Sequence, residues 1–413
     1  MNNHYYDELE TRDPEVREKG LLAALPSQIA HAQLYASTYA KILNGIDGAS
    51  ITTREALAQL PVTRKSDLIE LQRTNPPFGG LAATNVSELA HVFSSPGPIY
   101  EPEGRAGDYW RMARALFAAG FRRGDLIHNT FSYHFTPAGL MLESGAHALG
   151  CAVFPAGVGQ TELQIDAITR LKPQGYVGTP LFLKIILEKV KDTEGDVSSL
   201  TKALVSGEAL PPSLRAEIAA YGVETLQCYA TADLGLIAYE STAREGMIID
   251  EGVIVEIVRP GTGDVVATGD VGEVVVTTFN RDYPLIRFAT GDMSAIMVGA
   301  SPCGRTNVRI KGWMGRADQT TKVKGMFVHP SQVAEVVKRH PEIVKSRLVV
   351  GRDANNDVMT LHCEVSNGSD PSIAQAIANT VREVTKLKGE VVFAETGSLP
   401  NDGKVIDDTR SYE

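Results

Sequence analysis

The chain has 413 residues, of which 43% are hydrophobic and 22% charged, and this ordinary globular composition argues against a disordered or low-complexity protein. The net charge of −10 argues against a dedicated nucleic-acid binder, although a phosphate ligand needs only a few local donors. The polar, acidic start and the lack of any apolar run of about 18 residues predict a cytoplasmic protein without a membrane segment.

Residues 1–80 have a mainly helical pattern, and a regular alternation of strands and helices begins near residue 110. The predicted helices are Tyr109–Phe121, Ala138–Leu149, Glu162–Leu171, Leu181–Lys191 and Pro212–Tyr221. The predicted strands are Leu126–Phe131, Cys151–Pro155, Tyr176–Gly178, Ala203–Ser206 and Thr225–Tyr229. Short apolar strands between amphipathic helices predict an α/β fold, in which a parallel sheet is flanked by helices on both faces.

The residue pattern changes twice more along the chain. Alternating β-branched residues between about 246 and 314 predict a β-rich subdomain. From about residue 315, helices at 330–339 and 371–387 with strands at 346–351, 358–365 and 390–394 predict a small α+β unit. We therefore expect an N-terminal domain over 1–317 and a mobile C-terminal α+β domain over 318–413, joined by a hinge between packed domains.

Open parallel sheets bind ligands beyond the carboxyl ends of their strands, so the residues after each predicted strand are the first candidates for a site. Ser94 and Ser95 follow a predicted strand at 89–93. The other candidates after strands are Tyr133, His134, Phe135 and Ala138, then Ser206, Gly207, Glu208 and Ala209, then Tyr229, Ala230, Thr231 and Asp233. Each group alone is also ordinary turn or helix-cap chemistry.

Three later segments carry sharper signals. Asp292 follows Thr290 and Gly291 at a predicted strand end, where a carboxylate can accept hydrogen bonds from two ribose hydroxyls. The segment 315–318 has the sequence Gly-Arg-Ala-Asp, at the start of the predicted small α+β unit. Lys404 follows a glycine near the C-terminus, a position where a lone lysine is usually only solvated.

The order of these segments resembles the adenylate-forming acyl-CoA synthetase superfamily and, within it, the phenylacetate–CoA ligase family, over about residues 80 to 410. The resemblance implies that Asp292 binds ribose, that Arg316 lies near the nucleotide phosphates or ribose, and that Asp318 is the hinge. It implies that Lys404 is the mobile lysine of adenylation and that Gly325 faces the CoA tunnel.

The same resemblance assigns the earlier candidates. Ser94 and Ser95 match the phosphate loop, 206–209 the adenine-side loop, and Tyr229 with Ala230 and Thr231 the nucleotide side. Asp233 matches the Mg²⁺-binding position, so the implied catalytic residues are Lys404, Arg316 and Asp233. By analogy Tyr133, His134, Phe135 and Ala138 line an apolar, aromatic-sized acid pocket, in which His134 either polarises the carboxylate or only packs.

The implied function is ATP-dependent activation of a carboxylic acid, of aryl or arylacetic type, to an acyl-adenylate, followed by transfer to CoA. Negative charge gathers on carboxylate and phosphate oxygens in the first step, where Lys404 and Mg²⁺ can neutralise it. The expected cofactors are therefore ATP, Mg²⁺ and CoA. The expected partner is a small carboxylic acid, with no nucleic acid or membrane, and a homodimer stays an open alternative.

Two departures from the family pattern keep alternatives open. The phosphate loop has Pro96 and Pro98 where relatives have glycine and threonine, and proline supplies no N–H donor. Asp233 is one methylene shorter than the usual glutamate. Only Cys303 lies near the place of the zinc site of some relatives, so we expect no structural zinc. The alternatives are an adenylate-forming transferase with a non-CoA acceptor, and a non-catalytic nucleotide- or acyl-binding protein.

Overall fold

The computed structural model describes residues 4–95, 98–315, 317, 321–324, 326–353, 356–366, 370–399 and 405–410. They form two compact units. The first runs up to Thr290 and includes Ser294–Trp313, and the second contains Gly291–Met293 and the chain from Met314 onwards. This division falls close to the expected boundary at 317/318, but a hinge there stays a prediction because Asp318 lies outside the described residues. No helix of the described part is long and apolar enough to cross a membrane.

The N-terminal region of the first unit is helical, as predicted. Its helices are α1 (Pro14–Tyr35), α2 (Ser37–Ile42), α3 (Arg54–Ala58) and α4 (Leu68–Thr74), with 3₁₀ turns at Glu8–Thr11, Gly48–Ser50, Lys65–Asp67 and Val86–Glu88. The carboxylate of Asp13 caps α1 by accepting hydrogen bonds from the N–H groups of Glu15 and Val16. Leu25 and Ile29 of α1 are fully buried in one core with strand residues from 253–288.

Strands and helices alternate after a short hairpin. The strands are β1 (Thr63–Arg64), β2 (His91–Ser95), β3 (Ile99–Glu103), β4 (Leu126–Asn129), β5 (Ala152–Pro155), β6 (Gly175–Gly178), β7 (Lys202–Val205) and β8 (Glu224–Thr231). The helices are α5 (Met112–Ala118), α6 (Ala138–Leu149), α7 (Thr161–Leu171), α8 (Pro180–Lys189) and α9 (Pro212–Ala219), with a 3₁₀ turn at Val190–Asp192.

Strands β4 to β8 form the parallel part of a nine-stranded sheet, in the order β8-β7-β6-β4-β5. Successive residues of a strand face opposite sides of a sheet. Accordingly, Val177 and Leu204 pack in the core that contains Leu116 of α5, whereas Tyr176 and Ala203 pack in a second core with α7, α8 and α9. The predicted helix-flanked sheet is thus confirmed.

The strands beyond β8 are β9 (Gly235–Tyr239), β10 (Met247–Ile249), β11 (Val253–Val258), β12 (Gly272–Thr278), β13 (Phe288–Ser294), β14 (Ile296–Met297) and β15 (Arg309–Ile310). Strands β9, β10, β15 and β14 extend the large sheet, and β11, β12 and β13 join β1 in a separate four-stranded sheet. Residues 246–314 are therefore rich in strands, but they are divided between two sheets. A single subdomain there stays a prediction.

The second unit has the predicted α+β composition. Its elements are β16 (Thr321–Val323), β17 (Met326–Val328), α10 (Pro330–Arg339), β18 (Ile343–Asp353), β19 (Asn356–Val365), α11 (Pro371–Thr385), β20 (Glu390–Phe393) and β21 (Ile406–Asp408). A four-stranded sheet has the order β20-β19-β18-β21. Its core joins Leu348 and Leu361 of the sheet to Ile377 and Val381 of α11.

Candidate functional site

The carboxyl ends of β4, β7 and β8 meet at one edge of the large sheet. Ser206 follows β7, and its backbone N–H donates to the Gly178 carbonyl of β6 over 3.2 Å. Its hydroxyl donates to the carbonyl of Cys228 in β8 over 2.9 Å. Gly207 then turns the chain with φ +81°, a backbone conformation that favours glycine. The chain leaves the sheet at this point with residues 207–209 exposed.

Tyr229 links the nine-stranded sheet to the four-stranded sheet of the first unit. Its hydroxyl donates to Oγ1 of Thr290 in β13 over 3.1 Å, and that Oγ1 donates to the carbonyl of Val274 over 3.1 Å. Tyr229 is half-buried, so part of the residue stays accessible to solvent. Strand β8 thereby carries an aromatic side chain in a fixed orientation.

The loop after β4 is organised by Asn129. Its side-chain amide donates to the Gly139 carbonyl over 2.9 Å and to the Tyr133 hydroxyl over 2.8 Å. The Tyr133 hydroxyl in turn donates to Oε2 of Glu143 over 2.7 Å. Burial and the neighbouring Glu143 carboxylate raise the pKa of Tyr133, so its hydroxyl stays neutral.

Phe135 lies at the tip of this loop. Its φ of +62° is left-handed, and the N–H of Thr136 closes a tight turn around it by donating to the His134 carbonyl over 2.7 Å. The Phe135 carbonyl accepts a hydrogen bond of 2.8 Å from the N–H of Ser94 in β2. The Phe135 side chain is nevertheless 83% exposed. The backbone holds an aromatic side chain in solvent next to Ser94, a residue of the predicted phosphate loop.

A compact charged cluster, formed by Lys65, Ser95, Glu101 and Asp233, lies at the same carboxyl-terminal end of β2. The ammonium of Lys65 is 2.5 Å from Oδ2 of Asp233, whose side chain is fully buried. Glu101 is also fully buried and lies 2.5 Å from the Ser95 hydroxyl. Burial and the charge of Asp233 raise the pKa of Glu101 well above its usual range.

Comparison with known proteins identifies the family of the chain. The family model for AMP-binding enzymes matches residues 108–280. Phenylacetate-coenzyme A ligase of Thermus thermophilus is 31% identical over 409 residues, which cover 95% of this chain and 89% of that protein. The chain belongs to the phenylacetate-coenzyme A ligase family. The enzyme of the same name from Aromatoleum evansii is 28% identical, over 88% of this chain and 86% of the relative.

A solved structure gives the same fold. An open conformation of 2-hydroxyisobutyryl-CoA ligase, in complex with 2-HIB-AMP and CoA, has a TM-score of 0.83. It covers 99% of this chain and 95% of the compared chain at 24% identity. The predicted fold class of this phenylacetate-coenzyme A ligase family member is therefore confirmed.

Several predicted site residues lie at positions in their strands that differ from the predicted positions. Ser94 and Ser95 end strand β2, because pairing with β3 continues to Ser95 opposite Ile99. Tyr229, Ala230 and Thr231 belong to β8, because antiparallel pairing with β9 lengthens that strand. Asp292 lies inside β13, not at the strand end that the sequence predicted. Their roles in this family member stay predictions.

Four predicted residues, Arg316, Asp318, Gly325 and Lys404, lie outside the described residues, so their roles also stay predictions. In the described part, no group of three or more His, Cys, Asp or Glu side chains is arranged to hold a metal ion.

Sequence reasoning missed Lys65 and Glu101. The contact of Lys65 with Asp233 joins positions 168 residues apart, and no local pattern indicates it. Glu101 is different, since the antiparallel pairing of β3 with β2 brings it back towards Ser95. The available sequence signal was the Pro-Gly-Pro stretch at 96–98 between two short segments of strand-like residues, which is typical of a hairpin.

Proposed function

We propose that the chain joins an aryl or arylacetic carboxylic acid to CoA in two steps driven by ATP. The observation that carries this proposal is the 31% identity to a phenylacetate-coenzyme A ligase over 95% of this chain. In the first step a carboxylate oxygen bonds to the α-phosphorus of ATP and pyrophosphate leaves. In the second step the CoA thiol attacks the acyl carbon, AMP leaves, and a thioester forms.

The sheet edge at Ser206 and Tyr229 is our candidate for the nucleotide side. The Tyr229 hydroxyl is engaged with Thr290, so the half-buried ring is oriented and can stack on a planar base. Asp292 is proposed to accept hydrogen bonds from the ribose hydroxyls. Lys404 is proposed to neutralise charge at the α-phosphate during adenylation, and a pivot at Asp318 to exchange the two catalytic faces.

The loop after β4 is our candidate for the acid pocket. Phe135 offers an exposed aromatic face, and burying it against an aryl ring removes apolar surface from water. Tyr133 supplies one hydroxyl, which Asn129 and Glu143 hold in place. One oriented polar group beside apolar surface suits a flat acid with a single charged end.

One residue of the charged cluster, Asp233, could bind Mg²⁺. The second oxygen of Asp233, Oδ1, is buried and has no hydrogen-bond partner among the described residues. Magnesium usually takes one or two carboxylates together with substrate phosphates, so Asp233 would hold it through this oxygen. When bound, the ion would neutralise charge on the phosphates.

The test is ATP–pyrophosphate exchange with a panel of acids: phenylacetate, benzoate, and 2-hydroxyisobutyrate as a small aliphatic hydroxy acid. The proposal expects exchange that depends on the acid and is fastest with an aryl or arylacetic acid. Fastest exchange with the aliphatic hydroxy acid would contradict the assigned substrate class. No exchange with any acid would favour a non-catalytic binding protein.

A further inference from the structure

A groove of about 480 Å³ opens between the start of α7 and the second half of α8. It is lined by Gln160, Thr161, Glu162, Leu163, Ile185 and Lys189, and so by none of the predicted site residues. Both helices turn their other side to the parallel sheet, where Ile165 of α7 and Ile186 of α8 are buried in one core with Tyr176 of β6. The groove therefore lies on the outer, solvent-facing side of these two helices.

The apolar residues of the groove are open to solvent. Leu163 is 64% exposed and Ile185 is 41% exposed. Leu181, which is 50% exposed, precedes Ile185 by four residues, so these two side chains share one face of α8. The three side chains form a short apolar stripe that the described chain leaves open to solvent. Clustered apolar side chains on a surface are typical of sites at which another molecule binds.

The groove has one charged side chain on each wall, and the two charges are opposite. Glu162 lies in the first turn of α7 and makes no ion pair with another described residue. Lys189 ends α8, and its ammonium has an exposed contact of 3.5 Å with Asp192. Exposed contacts of this kind contribute little, so Lys189 can turn to another carboxylate at small cost. The groove thus offers a negative charge on one wall and an available positive charge on the other.

These features fit a second copy of the chain better than a partner of a different kind. A two-fold axis through the groove sets the apolar stripe of one copy on the stripe of the other. The same rotation places Glu162 opposite Lys189 of the partner subunit, and it does so twice. An apolar peptide would leave both charges unpaired, and a partner of one net charge would meet a like charge on one wall.

We propose that the groove between α7 and α8 is a two-fold interface between two copies of this chain, with the apolar stripe at its centre and two Glu162–Lys189 ion pairs at its rim. This goes beyond the proposed function, whose two steps need no second copy. The patch is small, so we expect weak association, with a dissociation constant on the order of 10 µM. Well below that concentration the chain is monomeric, and substitutions in the groove then leave the free energy of unfolding nearly unchanged.

Charge reversal tests the two-fold relation directly. Glu162→Lys creates two like-charge contacts in a dimer, and so does Lys189→Glu. The dissociation constant of each variant alone should therefore rise by about 10-fold or more. In an equal mixture of the two variants, both contacts of the mixed dimer join opposite charges again. The mixture should associate within about 3-fold of wild type, and so should the double variant Glu162→Lys/Lys189→Glu.

The matched controls lie elsewhere on the first unit. Glu55→Lys reverses the charge of an exposed glutamate in the first turn of α3, and Leu34→Ser replaces a leucine of α1 that is 71% exposed. Neither control should change the association. Leu163→Ser should weaken it by about 10-fold, because it removes an aliphatic side chain from the stripe in both copies.

The measurement is analytical ultracentrifugation of wild type, each variant and the mixture, from well below to well above the expected dissociation constant, with the melting temperature recorded alongside. The proposal expects a monomer–dimer equilibrium that the groove variants weaken and the controls do not. A wild type that stays monomeric would leave the groove to another partner and would overturn the proposal. Association that Glu162→Lys and Leu163→Ser do not weaken, or that mixing fails to restore, would overturn it too. The measurement uses no substrate, so its outcome is independent of the proposed function.

Discussion

The ammonium of Lys65 lies 2.5 Å from Oδ2 of Asp233, a carboxylate that is fully buried. Lys65 follows β1, and Asp233 lies in the turn between β8 and β9, so this ion pair joins the N-terminal helical region to the large sheet. The other oxygen of Asp233 has no hydrogen-bond partner among the described residues. Among the described residues, Lys65 is therefore the one cation paired with this carboxylate.

Lys65→Met should leave the Asp233 charge buried without a partner. Removal of one member of a buried ion pair lowers the free energy of unfolding by about 3–5 kcal/mol. The double variant Lys65→Met/Asp233→Asn should recover most of this loss, because no charge is left. The measurement is urea unfolding. The control is Lys189→Met, which breaks an exposed pair with Asp192 at 3.5 Å and should change little. Equal effects of Lys65→Met and the control would contradict the dependence of Asp233 on Lys65.

The parallel sheet was predictable from the sequence because its strands and helices have different periods of apolar residues. The ends of β2 and β8 were not, because pairing with β3 and β9 extends them through residues with no apolar pattern. Arg287 illustrates why the sequence alone does not separate site residues from structural residues. It lies in the segment that ends at Asp292, yet it is 2% exposed and binds Glu256 and three backbone carbonyls. Its contacts are structural, and only the fold reveals them.

Asp292→Asn should weaken ATP binding and leave the order of preferred acids unchanged, since a ribose contact does not involve the acid. A charge-assisted hydrogen bond contributes about 1.5–3 kcal/mol, so we expect affinity to fall by about 10- to 100-fold. Calorimetric titration with ATP measures the change. Asp270→Asn, at an exposed position, is the control. Unchanged ATP affinity in Asp292→Asn would exclude the proposed role.

His128 should make the protein less stable in acid. It is fully buried on β4, lies 2.5 Å from Oε1 of Gln164, and burial lowers its pKa to about 4 from an ordinary value of 6.5. The unfolded chain therefore binds a proton at a higher pH than the folded chain, and stability is lost as the pH falls from about 6.5 to about 4. The full contribution is on the order of 3 kcal/mol.

The check is the free energy of unfolding of His128→Gln and wild type at a series of pH values. The difference between them should change over that pH window and be constant above it. His147→Gln, at an exposed histidine, should follow wild type throughout. Parallel curves for wild type and His128→Gln would mean that His128 is not responsible for the acid sensitivity.

Lys404→Ala should strongly slow adenylation and spare thioester formation from supplied acyl-adenylate. The proposed reason is that Lys404 belongs to a C-terminal domain that we propose to be mobile, so that the lysine would reach the α-phosphate in only one domain orientation. Removing such a charge is expected to slow the first step by about 10²–10³-fold. The two half-reactions are measured separately, by pyrophosphate exchange and by CoA consumption. Equal losses in both would argue against two catalytic orientations.

The most direct test of the proposed function is the product balance of a complete reaction with phenylacetate, ATP, Mg²⁺ and CoA. AMP, pyrophosphate and the acyl-CoA thioester are quantified together by chromatography, with omission of the acid or of CoA as controls. If the chain is an acid–CoA ligase, the three products form in equal amounts, and no sustained AMP release occurs when either the acid or CoA is left out. AMP release that continues at the same rate without CoA, or CoA that stays unconsumed while the acid is activated, would contradict the proposed CoA ligase activity and favour a different acyl acceptor.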